Sequence, residues 1–184
     1  MIALGMVRIR SCLPASRPAS PPAPAPVADG AGSFVTPSTI PELYDPGSMT
    51  TIFSRIIDGE LPGRFVYRDD ICVAFLTIAP ITTGHALVVP RAEVDHWTDL
   101  DESTMAHLGA VAHRIGRAQQ EAFGADRISL VIAGLEVPHT HLHVMPIRSE
   151  ADIDFGKADP NVDPAVLDDA AARLRAALGE YGSD

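Results

Sequence analysis

The chain has 184 residues, 46% of them hydrophobic, which suffices for one well-cored domain. Its formal charge of −10 argues against a nucleic-acid footprint, and no apolar run reaches the length of a membrane span. Two cysteines, Cys12 and Cys72, make no disulfide framework and fit a reduced, cytoplasmic protein.

Residues 1–48 hold nine of the 16 prolines and too little apolar bulk to offset ordering entropy, so they read as a disordered extension. A misassigned start is the other reading, because Met49 directly precedes the first globular pattern. Of 14 basic and 24 acidic residues, this stretch takes three of each, leaving 11 and 21 for the remainder, which therefore carries the whole net charge. Any anionic ligand must then be held by local groups rather than by a global field. The folded domain spans residues 49–150, and residues 151–184 form a C-terminal extension with a helix.

Thr51 is placed to cap a short helix from Ile52 to about Asp58, closed by Gly59. Phe65–Arg68 and Ile71–Thr77 read as a hairpin around Asp69-Asp70, and His85–Val89 as a third strand stopped by Pro90. Helical spacing of Leu108, Val111, Ile115, Ala118 and Ala122 predicts the principal helix from about Ser103 to Phe123. Strands follow at Ile128–Ala133 and at the histidine run. Asp163 and Pro164 start a last helix carrying Val166, Leu167, Ala171, Leu174 and Leu178, ended near Gly179. The predicted class is α+β: about five antiparallel strands with a long helix and a C-terminal helix.

His139-Thr140-His141-Leu142-His143 is the segment richest in chemistry. As a strand bounded by Pro138 and Pro146, it would set three imidazoles on one face and Thr140, Leu142 and Val144 on the other. Two chemistries are open. Three neutral imidazoles can hold zinc, although three adjacent alternate positions crowd ligands along a line, and neither H-E-x-x-H nor C-x-x-C is present. Alternatively, one imidazole attacks an electrophile such as phosphorus while its neighbours fix its tautomer. Cationic character at His139 or His143 would then steady phosphoryl oxygens.

Val137-Pro138-His139-Thr140-His141-Leu142-His143-Val144-Met145-Pro146 resembles the signature of the histidine triad (HIT) family. Ile52–Pro62, Ala74-Phe75-Leu76 and Gly84–Pro90 follow the order of that family's blocks, so the resemblance covers about Thr51 to Arg148. It implies a homodimeric α+β fold that binds purine nucleotides and cleaves at the α-phosphorus through a nucleotidyl-histidine intermediate, without metal or cofactor. His141 would be the nucleophile and His143 would orient it. His139 and His85 would contact phosphate or complete a hydrogen-bond relay. Phe53, Ile56, Phe75, Leu76 and Ile78 would line the base pocket. The implied substrates are nucleoside phosphoramidates or related adenylyl compounds. A dinucleoside polyphosphate hydrolase or nucleotidyl transferase, and a nucleotide-binding regulatory protein with little catalysis, are the alternatives. The expected partners are a purine nucleotide and a second copy of the chain, with neither nucleic acid nor membrane.

The chain departs from the family pattern at four points. Thr77 stands where many members have a ribose-gripping aspartate, and Ala133 where they have asparagine. Glu136 replaces a small polar residue, and a carboxylate beside phosphate must either serve an amine leaving group or face solvent, the latter being favoured. Thr51 and Ser54 replace two cysteines of a zinc-binding branch, so that branch's structural zinc is not expected. His96, His107 and His113 read as non-catalytic, and Phe155 as a packing residue.

Overall fold

The computed structural model describes residues 50–179; the proline-rich stretch 1–48 lies outside them. In chain order come helix α1 (Ile52–Ile57), strands β1 (Arg64–Arg68), β2 (Cys72–Leu76) and β3 (Ala86–Pro90), helix α2 (Glu102–Phe123), strands β4 (Arg127–Val131) and β5 (Leu142–Ile147), and helix α3 (Pro164–Leu178). The strands form one sheet in the order β1-β2-β3-β5-β4, with every neighbouring pair antiparallel. This is the expected α+β class.

Local chemistry sets the helix limits. Thr51 caps α1 by accepting the Ser54 amide. Asp101 caps α2 in the same way through the Thr104 amide, and Gly124 ends it in the left-handed conformation at φ 62°. Asp163 accepts the Ala165 amide at the start of α3, just ahead of Pro164. No helix among the described residues is long and apolar enough to cross a membrane.

Alternation along the strands divides the sheet into two faces. On one, Ala74, Leu76, Ala86, Val88, Leu142 and Val144 pack against Leu108, Val111 and Ile115 of α2 and Ala171 and Leu174 of α3. Val166, expected in the α3 stripe, is exposed instead. On the other face, Val73, Phe75, Leu87 and Val89 meet Phe53 of α1 and Val137. His143 pairs directly with Leu87 and so projects onto this second face.

The β1–β2 hairpin is locked to α2 through one carboxylate. Asp69 accepts the amides of Ile71 and Cys72 at one oxygen, and the Tyr67 hydroxyl and His107 Nε2 at the other. Burial would raise the Asp69 carboxyl, but these bonds outweigh it and hold the group far below the usual carboxylate range. Burial also pushes the Cys72 thiol up to about 12. Asp69, Cys72 and His107 are close enough to share an ion. With both carboxylate oxygens already engaged by four donors from β1, the turn, β2 and α2, the group acts as a structural knot.

Two prolines expected to stop strands lie inside them. Pro90 is the last residue of β3, paired with Cys72. Pro146 pairs with Ile128, past Val144, the last β5 residue paired with β3. There β5 has a neighbour on one side only, where a missing N–H is tolerated. β4 ends at Val131, leaving Ala133 in the following loop.

Candidate active site

The histidine run is not one continuous strand. His139, Thr140 and His141 precede β5, and only His143 lies within it. The cause is a different set of backbone partners: the His139 amide bonds to the Val137 carbonyl, and the Thr140 amide to the Val94 carbonyl. The Thr140 hydroxyl adds a bond to the Asp95 carbonyl. The rings still converge. Centroids of His141 and His143 are 4.8 Å apart, His85 and His143 5.2 Å, and Phe53 lies 4.9 Å from His141 and 5.9 Å from His139.

His85 enters from the turn before β3, where Gly84 has φ +85° and a Cβ would meet the Phe123 ring at 2.3 Å. Gln119, fully buried on α2, donates to the Gly84 carbonyl at 2.8 Å and the Val144 carbonyl at 2.9 Å. One amide thus clamps the peptides beside His85 and His143. The sequence reading missed Gln119, whose only signal is a polar residue inside an apolar helical stripe.

Hydrogen-bond partners assign the protons of the neutral rings. The Ile81 amide, which can only donate, lies 3.3 Å from His85 Nδ1, so the His85 proton is on Nε2. That proton points at His143 Nδ1, 3.0 Å away, leaving His143 protonated on Nε2. His141 Nδ1 lies 2.7 Å from the His139 carbonyl, which can only accept. His141 is therefore protonated on Nδ1, and its Nε2 is bare and has no hydrogen-bond partner among the described residues.

Desolvation lowers the pKa of all four rings. His85 falls to about 4, with the neighbouring His141 a second cause, and His143 falls to about 3, with His141 and His85 contributing. His139 and His141 are also lowered, chiefly by burial; the Pro90 carbonyl and Glu93 oppose this at His139, and the His139 carbonyl and Glu136 oppose it at His141. Burial thus works against the cationic character expected at His139 or His143.

Of the residues expected around the base, Phe53, Ile56 and Phe75 share the histidine face. Leu76 does not: it follows Phe75 on one strand, so its side chain turns to the opposite face and packs under the helices. Ile78, past the end of β2, is 56% exposed. The Thr77 hydroxyl accepts the Ala79 amide at 3.3 Å. Glu136 is exposed, as expected, yet close enough for its charge to act on His141. Phe155 packs edge-on against His143 at 4.9 Å. His96 and His113 are exposed, and His107 belongs to the Asp69 knot.

Comparison with known proteins places this geometry. A family model described as the HIT domain matches residues 58–150. An uncharacterized HIT-like protein of Saccharolobus solfataricus is 36% identical over 104 residues, covering 54% of this chain and 75% of that protein. A purine nucleoside phosphoramidase of Escherichia coli is 34% identical over 103 residues, covering 52% and 85%. Among solved structures, a zinc-bound histidine triad family protein from Mycobacterium smegmatis superposes with a TM-score of 0.62 at 35% identity, over 72% of this chain and 95% of that one. With the family model spanning half of the chain and the histidines converging as described, the chain belongs to the HIT family, a family of nucleotide-binding hydrolases and transferases.

Proposed function

We propose that this protein hydrolyses nucleoside phosphoramidates or related adenylyl compounds, acting on a purine nucleotide through a nucleotidyl-histidine intermediate at His141. The observation that carries the reading is His141 Nε2, a bare nitrogen held in place by the bond from Nδ1–H to the His139 carbonyl. Its lone pair bonds to the α-phosphorus while the bond from phosphorus to the leaving amine breaks. The amine departs with that electron pair and takes up a proton. Water then cleaves the histidine–phosphorus bond, releasing the nucleoside monophosphate and restoring the imidazole. His143, a neutral donor at Nε2, stands beside the reacting centre for a phosphoryl oxygen or the leaving group. His85 keeps His143 in that tautomer.

The same proton assignment favours nucleophilic over metal chemistry, because the four rings offer one bare nitrogen rather than three. Phe53 and Phe75, with ring centroids 5.8 Å apart on the histidine face, suit a stacked purine. The similarity to the Escherichia coli phosphoramidase supports an amine leaving group. Cys72, a free cysteine buried in the core, suits a reducing compartment, and the cytoplasm is the proposed location.

The protein is also proposed to be a homodimer. β4 is an outer strand of the sheet, and Leu130 on it is 54% exposed. Light scattering is expected to give twice the 19.5 kDa chain mass, and Leu130→Lys to give the monomer.

Adenosine 5′-phosphoramidate tests the activity. Turnover should survive chelators and vanish in His141→Ala, and rapid quench should trap an adenylyl mass on the peptide spanning residues 128–148. An adduct elsewhere, or turnover that depends on added metal, would overturn the reading.

A further inference from the structure

The first turn of α1 does more than cap itself. Thr51, at its N-cap, and Ser54 reach two segments distant in sequence: the loop after β3, through Glu93, and the histidine run, through His139. We propose that Thr51, held in place by Ser54 and Glu93, is a positioning residue that donates to the His139 ring, holds that ring against the Pro90 carbonyl and, through the His139 carbonyl, presents His141 with Nε2 bare.

His139 is fully buried, and both ring nitrogens are engaged. Nε2 lies 2.8 Å from the Pro90 carbonyl oxygen, which has no proton to give, so the ring proton is on Nε2. Nδ1 then needs a donor. Thr51 Oγ1, 2.8 Å away, is that donor. The same oxygen accepts the Ser54 amide at 3.2 Å, so its lone pairs face the helix and its hydrogen faces the ring.

Glu93 holds this hydroxyl in place. One carboxylate oxygen accepts the Thr51 amide at 3.0 Å and also the Ser54 hydroxyl. Burial would raise this carboxyl, but the bonds from Ser54 and Thr51 and the neighbouring His139 outweigh it, so Glu93 is ionised at neutral pH.

The consequence passes to the reacting ring. With its side chain pinned by Thr51 on one edge and Pro90 on the other, His139 cannot rotate its peptide freely. That peptide's carbonyl receives the His141 Nδ1–H at 2.7 Å. Phe53, two residues after Thr51, closes against both rings. A six-residue helix thereby braces the nucleophile without touching the reacting atoms.

The inference rests on the assignment of His141 as nucleophile, so its test reads protons as well as turnover. Two-bond nitrogen–proton correlation spectra of the imidazoles should show wild-type His139 protonated on Nε2 and His141 protonated on Nδ1. In Thr51→Val the His139 Nδ1 signal should shift to that of a nitrogen without a donor and the His141 signals should leave their single tautomer, and kcat on adenosine 5′-phosphoramidate should fall about tenfold while KM stays within about threefold. Thr51→Ser should restore both, and Glu93→Gln should give a smaller loss of the same kind. A wild-type His139 protonated on Nδ1 would overturn the proposal without any variant, as would a folded Thr51→Val with unchanged nitrogen signals and unchanged kcat. If the nitrogen signals respond but no nucleotide is hydrolysed, the brace stands and the proposed activity falls. If hydrolysis is present while the nitrogen signals ignore Thr51, the brace alone falls.

Discussion

The two faces of the sheet are buried to a similar depth and put that burial to different uses. Under the helices, Val88, Leu142, Ile115 and Leu174 are 0% exposed and offer only hydrocarbon, so water exclusion there is stabilising in itself. On the α1 face, His139 is equally hidden and His85 nearly so, yet these are polar rings whose desolvation opposes folding unless each is hydrogen-bonded. In return, desolvation holds the rings neutral, which leaves a nitrogen lone pair available at physiological pH. One face therefore serves stability, while the other holds its polar rings neutral, as the proposed nucleophile requires.

A matched pair of substitutions should separate these roles, and the larger effect belongs to the site. His141→Ala is expected to lower phosphoramidate turnover by about 10³-fold or more, with chemical unfolding shifted little. Ile115→Ala, fully buried against the opposite face, should cost about 2–5 kcal/mol in urea unfolding and leave kcat per folded molecule unchanged. If His141→Ala proved as destabilising as Ile115→Ala, the division of labour would be wrong.

The next effect is on pH. A histidine whose folded pKa lies below its unfolded value binds more protons when unfolded, so stability is complete above about 6.5 and is lost as pH falls toward the folded pKa. For His85, lowered to about 4, that loss amounts to about 3 kcal/mol between pH 6.5 and 4. His143, lowered to about 3, adds to it down to lower pH, though not additively, because the two rings share a hydrogen bond. Asp69, on the other face, loses its contribution only below about pH 4, since its carboxyl is depressed from an ordinary carboxylate value. Urea titrations at pH 7, 5 and 4 check this; a flat profile down to pH 5 would mean that the buried rings are not held neutral.

Gln119→Leu should come next. It leaves the Gly84 and Val144 carbonyls without their donor, at a cost of about 1–3 kcal/mol, and loosens the peptides beside His85 and His143. Because the amide belongs to the helix-side packing yet holds backbone adjoining His85 and His143, this variant should lower both stability and kcat, unlike either member of the first pair.

The helix-side face was largely legible in the sequence. The α2 stripe from Leu108 to Ala118 and the N-cap at Asp163, like the N-cap at Thr51 on the α1 face, depend on neighbours within a few residues, and patterns of that range survive folding. The histidine run and the family resemblance pointed to the place where the histidine rings converge. The supports of the site were not legible, since they depend on partners far along the chain: Thr51 meets His139 across 88 positions, and Gln119 meets Gly84 across 35. Nothing in the local pattern of Glu93 distinguishes it from a solvated polar residue, and Gln119 is marked only by its place in the apolar stripe of α2. The break before β5 was hidden for the same reason, because the Thr140 amide bonds to Val94 rather than to a sheet neighbour.

The finest test of the comparison uses two adjacent residues of β2. Phe75 and Leu76 were both expected in the base pocket, but a strand sends consecutive side chains to opposite faces, and here Phe75 meets Phe53 and Phe65 while Leu76 joins the helix-side core. If a purine packs on the α1 face, Phe75→Leu should raise KM for the phosphoramidate about three- to fivefold, in line with an aromatic contact of about 1 kcal/mol. Leu76→Met, a swap of similar volume under the helices, should cost under about 1.5 kcal/mol of stability and leave KM unchanged. Calorimetric titration with AMP reads the same difference without catalysis: weaker binding in the first variant, wild-type binding in the second. A reversed result would put the nucleotide on the wrong side of the sheet for His141 and would break the link between the base pocket and the nucleophile.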